Sequence, residues 1–86
     1  MIGYVTLGSN DLEKAAAYYD TLLAEIGASR MMENDRFIAW GTGPGTPMLC
    51  VIKPIDEQPA TVGNGVMVSL YMDSTDKVDS FYRKAI

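Results

Sequence analysis

The side chains that most often carry out chemistry in proteins are scarce in this sequence of 86 residues. It contains no histidine, so the commonest general base and the commonest metal ligand are both missing. Cys50 is the single cysteine, and it lies in an apolar run without a basic neighbour, which is typical of a buried, inert thiol. The sequence therefore excludes Ser-His-Asp and Cys-His nucleophiles within one chain.

Two polar segments have the composition of a ligand site without its spacing. The glycine-rich loop 41–45 precedes an apolar strand and lacks the lysine of a phosphate-binding loop, so we interpret it as a connection between strands. Asp73, Asp76 and Asp79 have the spacing of a helix start and its solvent-exposed face. Neither segment predicts a phosphate site or a metal site.

Charge and length limit the class of protein and the class of partner. The formal charge is −4, and no basic cluster is present, which argues against nucleic acid or an anionic membrane as a partner. No apolar run is long enough to span a bilayer, and no signal sequence opens the chain. A single cysteine allows no internal disulfide, which favours a reducing, cytoplasmic location.

The chain is organised around a predicted strand at 2–7 and a predicted helix at 12–26. We expect Asn10 to cap this helix, with Glu13 completing a capping box, and Gly27 to end it. The pattern recurs later in the chain, where 67–70 matches 4–7 and 81–82 matches 18–19. Any two strand–helix units share some of this pattern, but an ungapped match through both elements favours a duplicated unit.

The remaining predicted elements give an α+β fold. Strands at 29–32, 36–40 and 47–52, with a hairpin turn at 33–36, complete a βαβββ module over residues 1–53. Residues 54–64 are predicted to be a linker, and residues 65–86 the start of a second module, with a strand at 66–72 followed by a helix. Because no further strands follow, we expect an incomplete second module, either in a fragment or in a short form completed by another chain.

Four ordered segments, at 1–15, 18–23, 37–41 and 63–65, carry a resemblance to a known family. With the duplicated βαβββ unit, they resemble the glyoxalase / bleomycin resistance protein / extradiol dioxygenase group, the vicinal oxygen chelate superfamily. The strands of the second half, and the Asp-Pro-Asp-Gly turn near the C-terminus of that group, are missing here.

The resemblance implies a cleft formed by curled, paired strands, which in metal-using members holds a divalent ion through His or Glu. The implied ligand positions fall on Tyr4, Cys50 and Met67, and none of these residues is His or Glu. A catalytic ion of this kind prefers nitrogen and oxygen ligands. We therefore expect no metal and no other cofactor.

The same resemblance points to an apolar, aromatic cleft that binds a small molecule, such as an antibiotic or a metabolite. The residues predicted to line it are Tyr4, Trp40, Met48, Cys50 and Met67. The alternatives are a metal-dependent enzyme of the lactoylglutathione lyase or dioxygenase kind, and a non-catalytic half-module that acts through assembly. We also expect a homodimer with residues 66–86 at or near the contact, because an unpaired strand edge recruits other strands.

Overall fold

A computed structural model describes all residues from 1 to 86. Four strands and two helices form the fold, and a short 3₁₀ turn at Ala24–Ile26 extends the first helix. In chain order the elements are β1 (Tyr4–Gly8), α1 (Leu12–Leu23), β2 (Ser29–Glu33), β3 (Phe37–Gly41), β4 (Met48–Ile52) and α2 (Thr75–Ala85). The predicted α+β class and βαβββ order of the first module are confirmed.

Helix α1 begins at Leu12, as the sequence predicts, but its N-cap lies one residue later than expected. Asp11 is the N-cap, and its carboxylate accepts a hydrogen bond from the Lys14 backbone N–H at 3.1 Å. The predicted cap at Asn10 is wrong because its side-chain amide pairs instead with the backbone of Ala60 in the linker. Gly27 ends the helical segment as predicted, with a left-handed φ of 77°.

The four strands form one mixed sheet in the order β1-β4-β3-β2. β3 runs antiparallel to both β2 and β4, whereas β1 lies parallel to β4 at the edge. In register, Thr6 lies opposite Cys50, and Cys50 lies opposite Ala39 on the next strand. Residues that lie opposite one another on paired strands point to the same side, so these three residues share one face of the sheet, and their neighbours along each strand point to the other face.

Helix α1 covers the other face of the sheet, and the core lies between them. Trp40 and Val51 are among the most deeply buried side chains, and both point from the sheet towards α1. The residues of this core share an apolar character and include Leu12, Ala16, Leu23, Ala28, Ile38, Trp40, Leu49 and Val51. No equivalent layer covers the opposite face.

Residues 66–72, here named the strap, form no strand, although the sequence predicts one. Alternate side chains still point inwards, since Val68 and Leu70 pack against the core while Met67 and Tyr71 are exposed. The strap has the side-chain pattern of a strand but not its hydrogen-bonded ladder, because no neighbouring strand lies alongside it. Residues 65–86, which the sequence predicts to begin a second module, therefore contain the strap and α2.

Helix α2 begins at Thr75, and its N-cap is Ser74, whose hydroxyl accepts a hydrogen bond from the Lys77 N–H. It docks on α1 and the 3₁₀ turn through Phe81, which packs against the core. The Ser80 hydroxyl donates to Glu25, and the Tyr18 hydroxyl donates to the Ala85 carbonyl at 3.2 Å. No helix in the structure is long and apolar enough to cross a membrane.

Candidate functional site: the open face of the sheet

The uncovered face of the sheet forms a shallow apolar cavity of about 290 Å³. Alternate residues of all four strands line it: Tyr4, Thr6, Met32, Phe37, Ala39, Met48, Cys50 and Ile52. Its floor is the pair of central strands, where Ala39 and Cys50 are buried, and its rim includes the exposed Tyr4. We name these eight residues the open face.

Few polar atoms reach the open face. They are the hydroxyls of Tyr4 and Thr6 and the thiol of Cys50. Burial raises the pKa of the Cys50 thiol, and a hydrogen bond with Thr6 opposes that shift only in part. The thiol is therefore protonated near neutral pH, and it is neither an activated nucleophile nor a ready thiolate ligand. This arrangement can hold an apolar molecule and offer it one or two hydrogen bonds.

Three of the five predicted cleft residues lie together on this face: Tyr4, Met48 and Cys50. Trp40 does not lie on this face but on the opposite side of the sheet. It is only 1% exposed and packs under α1, with its ring centre 5.6 Å from that of Tyr19. The physical reason is strand alternation, because Ala39 shares the face of Cys50 and the next residue along β3 must point the opposite way.

Met67 is also absent from the open face. It lies on the outer side of the strap and is 90% exposed. Its prediction depended on a paired strand at 66–72, and that strand does not form. The open-face residues that the sequence reasoning missed are Thr6, Met32, Phe37, Ala39 and Ile52. Counting alternate residues outwards from Tyr4 and Cys50 would have found Thr6 and Ile52, whereas the other three lie on β2 and β3 and depend on how the strands pair.

The side chains present do not suit the divalent metal that the family resemblance implies. Of the three positions, Met67 lies away from Tyr4 and Cys50, and the Cys50 thiol resists deprotonation. Nowhere in the chain do three or more His, Cys, Asp or Glu side chains come close enough together to hold a metal ion. The donor set offered by Tyr4, Cys50 and Met67 therefore does not fit such a centre.

Comparison with known proteins identifies the family. No family model and no curated protein matches the sequence. Among solved structures, the fold is similar to a glyoxalase/bleomycin resistance protein from Albidiferax ferrireducens T118, with a TM-score of 0.88 and 30% sequence identity. That match covers 99% of this chain and 69% of the other.

A second solved structure supports the fold alone. It is a protein from Bacillus halodurans with a proposed glyoxalase assignment, with a TM-score of 0.75 and 24% identity. The match covers 98% of this chain and 65% of that protein. Since the more similar of the two is 30% identical and is matched over two thirds of its length, the chain belongs to the glyoxalase/bleomycin resistance protein family.

Proposed function

We propose that the open face binds a small, largely apolar or aromatic molecule, and that the chain acts as a binding protein without a metal. The observation that carries this proposal is the open face itself, an apolar concave surface on the side of the sheet that no helix covers. Small-ligand sites are usually concave and apolar with a few polar groups that set orientation. The Tyr4 and Thr6 hydroxyls are suited to that orienting role.

Binding is favoured over catalysis by the chemistry of the available side chains. The open face has no histidine, no carboxylate and no charged side chain, so it lacks a general base. Affinity would come from burying an aromatic ring against Phe37, Met48 and Ile52. The single buried thiol of Cys50 also supports a reducing, cytoplasmic location as part of this proposal.

The proposal includes a homodimer in which a second copy covers the open face. In a single chain, Tyr4 at the rim of the open face is 63% exposed, and other accessible apolar side chains surround it. Both edge strands, β1 and β2, have one unpaired side, and unpaired edges recruit further strands. Met67 and Tyr71, exposed on the outer side of the strap, give the region 66–86 a separate apolar surface. Light scattering at micromolar concentration should give twice the mass of one chain, and a monomer would contradict this part of the proposal.

The binding proposal is tested with 2-naphthol as a probe, followed by amide chemical shifts. We expect saturable shifts at residues 4–6, 37–39 and 48–52. Phe37→Ala should weaken binding about tenfold, because it removes one of the two aromatic side chains of the open face. Tyr71→Ala, an exposed aromatic off this face, is the matched control and should leave binding unchanged. Equal binding by the two variants, or shifts confined to other residues, would contradict the proposal.

Elemental analysis separates the binding protein from the metal-dependent enzyme. We expect far less than one equivalent of Zn²⁺, Ni²⁺, Fe²⁺ or Mn²⁺ per chain, because Tyr4, Cys50 and Met67 do not form a suitable donor set. About one equivalent retained through dialysis would favour a metal-dependent lyase or dioxygenase instead.

A further inference from the structure

A second apolar cavity lies on the opposite side of the sheet, beneath the strap, with a volume of about 310 Å³. Its floor is the sheet surface at Val5, Trp40 and Leu49, and the end of the α1 segment at Ile26 forms a wall. The strap forms its roof through Val68 and Leu70. We name this space the strap cavity, and the sheet separates it from the open face.

The interior of the strap cavity has few polar groups that could form hydrogen bonds with water. The indole N–H of Trp40, its largest side chain, donates to Asp20 at 2.9 Å and so needs no other partner. Across the structure, no buried side-chain nitrogen or oxygen lacks a hydrogen bond. The hydroxyl-bearing residues of the lining, Thr42 and Ser69, are exposed. An enclosed apolar cavity of about half this volume stays dry and binds benzene, and the strap cavity has the same kind of apolar lining.

The roof can open at little cost. Residues 67–72 make no backbone–backbone hydrogen bond, and the strap is tied to the sheet only through side chains such as Val68 and Leu70. Displacing it exposes some apolar surface but breaks no backbone ladder. Segments with few protected backbone groups are the ones that open most readily in folded proteins. A small molecule therefore has a route into the cavity without unfolding of the sheet.

We propose that the strap cavity is a binding site for a small uncharged apolar molecule, with one aromatic ring or a short branched alkyl group. A small polar substituent on such a ligand would point outwards, towards Thr42 and Ser69. This site is independent of the open face, because the ligands would lie on opposite sides of the sheet. Trp40, the only tryptophan, forms part of its floor and reports occupancy.

The test uses toluene with the full chain and two readouts. Trp40 fluorescence should change in a saturable way, and amide shifts should concentrate at residues 26–28, 40–42 and 68–70. Leu70→Ala should weaken binding about fivefold, because it removes a half-buried contact from the roof. Tyr71→Ala changes the next residue of the same strap, but its side chain points outwards, so binding should stay unchanged.

Three results would overturn the proposal. The first is the absence of saturable shifts in the unmutated protein, a readout that does not depend on whether a variant folds. The second is a set of shifts confined to residues 4–6, 37–39 and 50, which would place toluene on the open face and leave the function proposed for that face intact. The third is equal affinity of folded Leu70→Ala and Tyr71→Ala proteins for toluene. This result would show that the inward side of the strap does not contact the ligand.

Discussion

The indole N–H of Trp40 donates a hydrogen bond to the carboxylate of Asp20 at 2.9 Å, so the largest core side chain is anchored by a group at the protein surface. The same carboxylate also receives two hydrogen bonds from the Arg30 guanidinium, at 2.9 and 2.7 Å. Arg30 in turn pairs with Glu33 at 2.8 Å. A planar guanidinium suits this two-point pairing, and the network ties α1 to β2 and β3.

Replacing Asp20 should destabilise the fold. Asp20→Ala leaves the nearly buried indole N–H of Trp40 without its acceptor, and it also removes the partner of Arg30. We expect a loss of about 1–3 kcal/mol in the free energy of unfolding, measured by urea denaturation. Asp79→Ala is the control, since the Asp79 carboxylate is exposed and makes no hydrogen bond or ion pair. Equal losses of unfolding free energy in both variants would show that the network does not stabilise the fold.

Acid should weaken the same network. The hydrogen bonds from Arg30, with a smaller contribution from Trp40, lower the pKa of Asp20, although partial burial opposes this. A carboxylate with a lowered folded-state pKa adds stability above its unfolded pKa of about 4, and that contribution disappears as the pH falls through the folded value. The free energy of unfolding should therefore fall more steeply below about pH 4 in the unmutated protein than in Asp20→Asn. If the free energy of unfolding depended on pH in the same way in both proteins, this prediction would be wrong.

Asn10 should hold the linker against β1. Its side-chain oxygen accepts from the Ala60 N–H at 2.6 Å, and its side-chain nitrogen donates to the Ala60 carbonyl at 3.2 Å. Asn10→Ala removes both bonds and should cost about 1 kcal/mol, with faster hydrogen exchange at Ala60. Asn64→Ala, at a linker residue with no side-chain hydrogen bond, provides the comparison. Unchanged exchange at Ala60 in Asn10→Ala would show that other contacts hold the linker.

Gly27 should resist substitution more than Gly43 does. Gly27 has a φ of 77°, a left-handed conformation that an alanine adopts only with strain, although a Cβ there would meet nothing within 4 Å. Gly27→Ala should therefore cost about 1 kcal/mol of unfolding free energy for backbone reasons alone. Gly43 has equally open surroundings without a positive φ, so Gly43→Ala should be close to neutral. Equal effects would contradict the backbone explanation.

The elements of the first module were predictable because each has a local signal. Helix α1 has an apolar stripe and a glycine stop, and β2 and β3 flank a turn that Asn34 stabilises by accepting hydrogen bonds from the N–H groups of Arg36 and Phe37. The N-cap was missed because Asn10 and Asp11 are equally good caps locally. The choice between them depends on Ala60, which is distant in sequence.

The candidate site was only partly predictable, because it depends on which face of the sheet the helix covers. The family resemblance placed Trp40 with Cys50 beside the cleft, whereas the pairing of Ala39 with Cys50 turns Trp40 to the other side. For the strap, the sequence predicted a strand and placed Met67 in the cleft, whereas Val68 and Leu70 are the side chains that point inwards. The sequence could not predict a hydrogen-bonding partner, since a ladder requires a second strand beside the strap.

The position of β1 beside β4 has a consequence for how the chain reaches this fold. The strands β2, β3 and β4 join through short connections, so they can assemble from contacts that are local in sequence. Pairing β1 with β4 instead closes a loop of about 40 residues, which costs more chain entropy than closing a hairpin. We expect β1 to dock late in folding, after the three-stranded meander. The newly made chain would then carry its first strand unpaired until β4 is in place, and Tyr4 would reach its place at the rim of the open face only at that final stage.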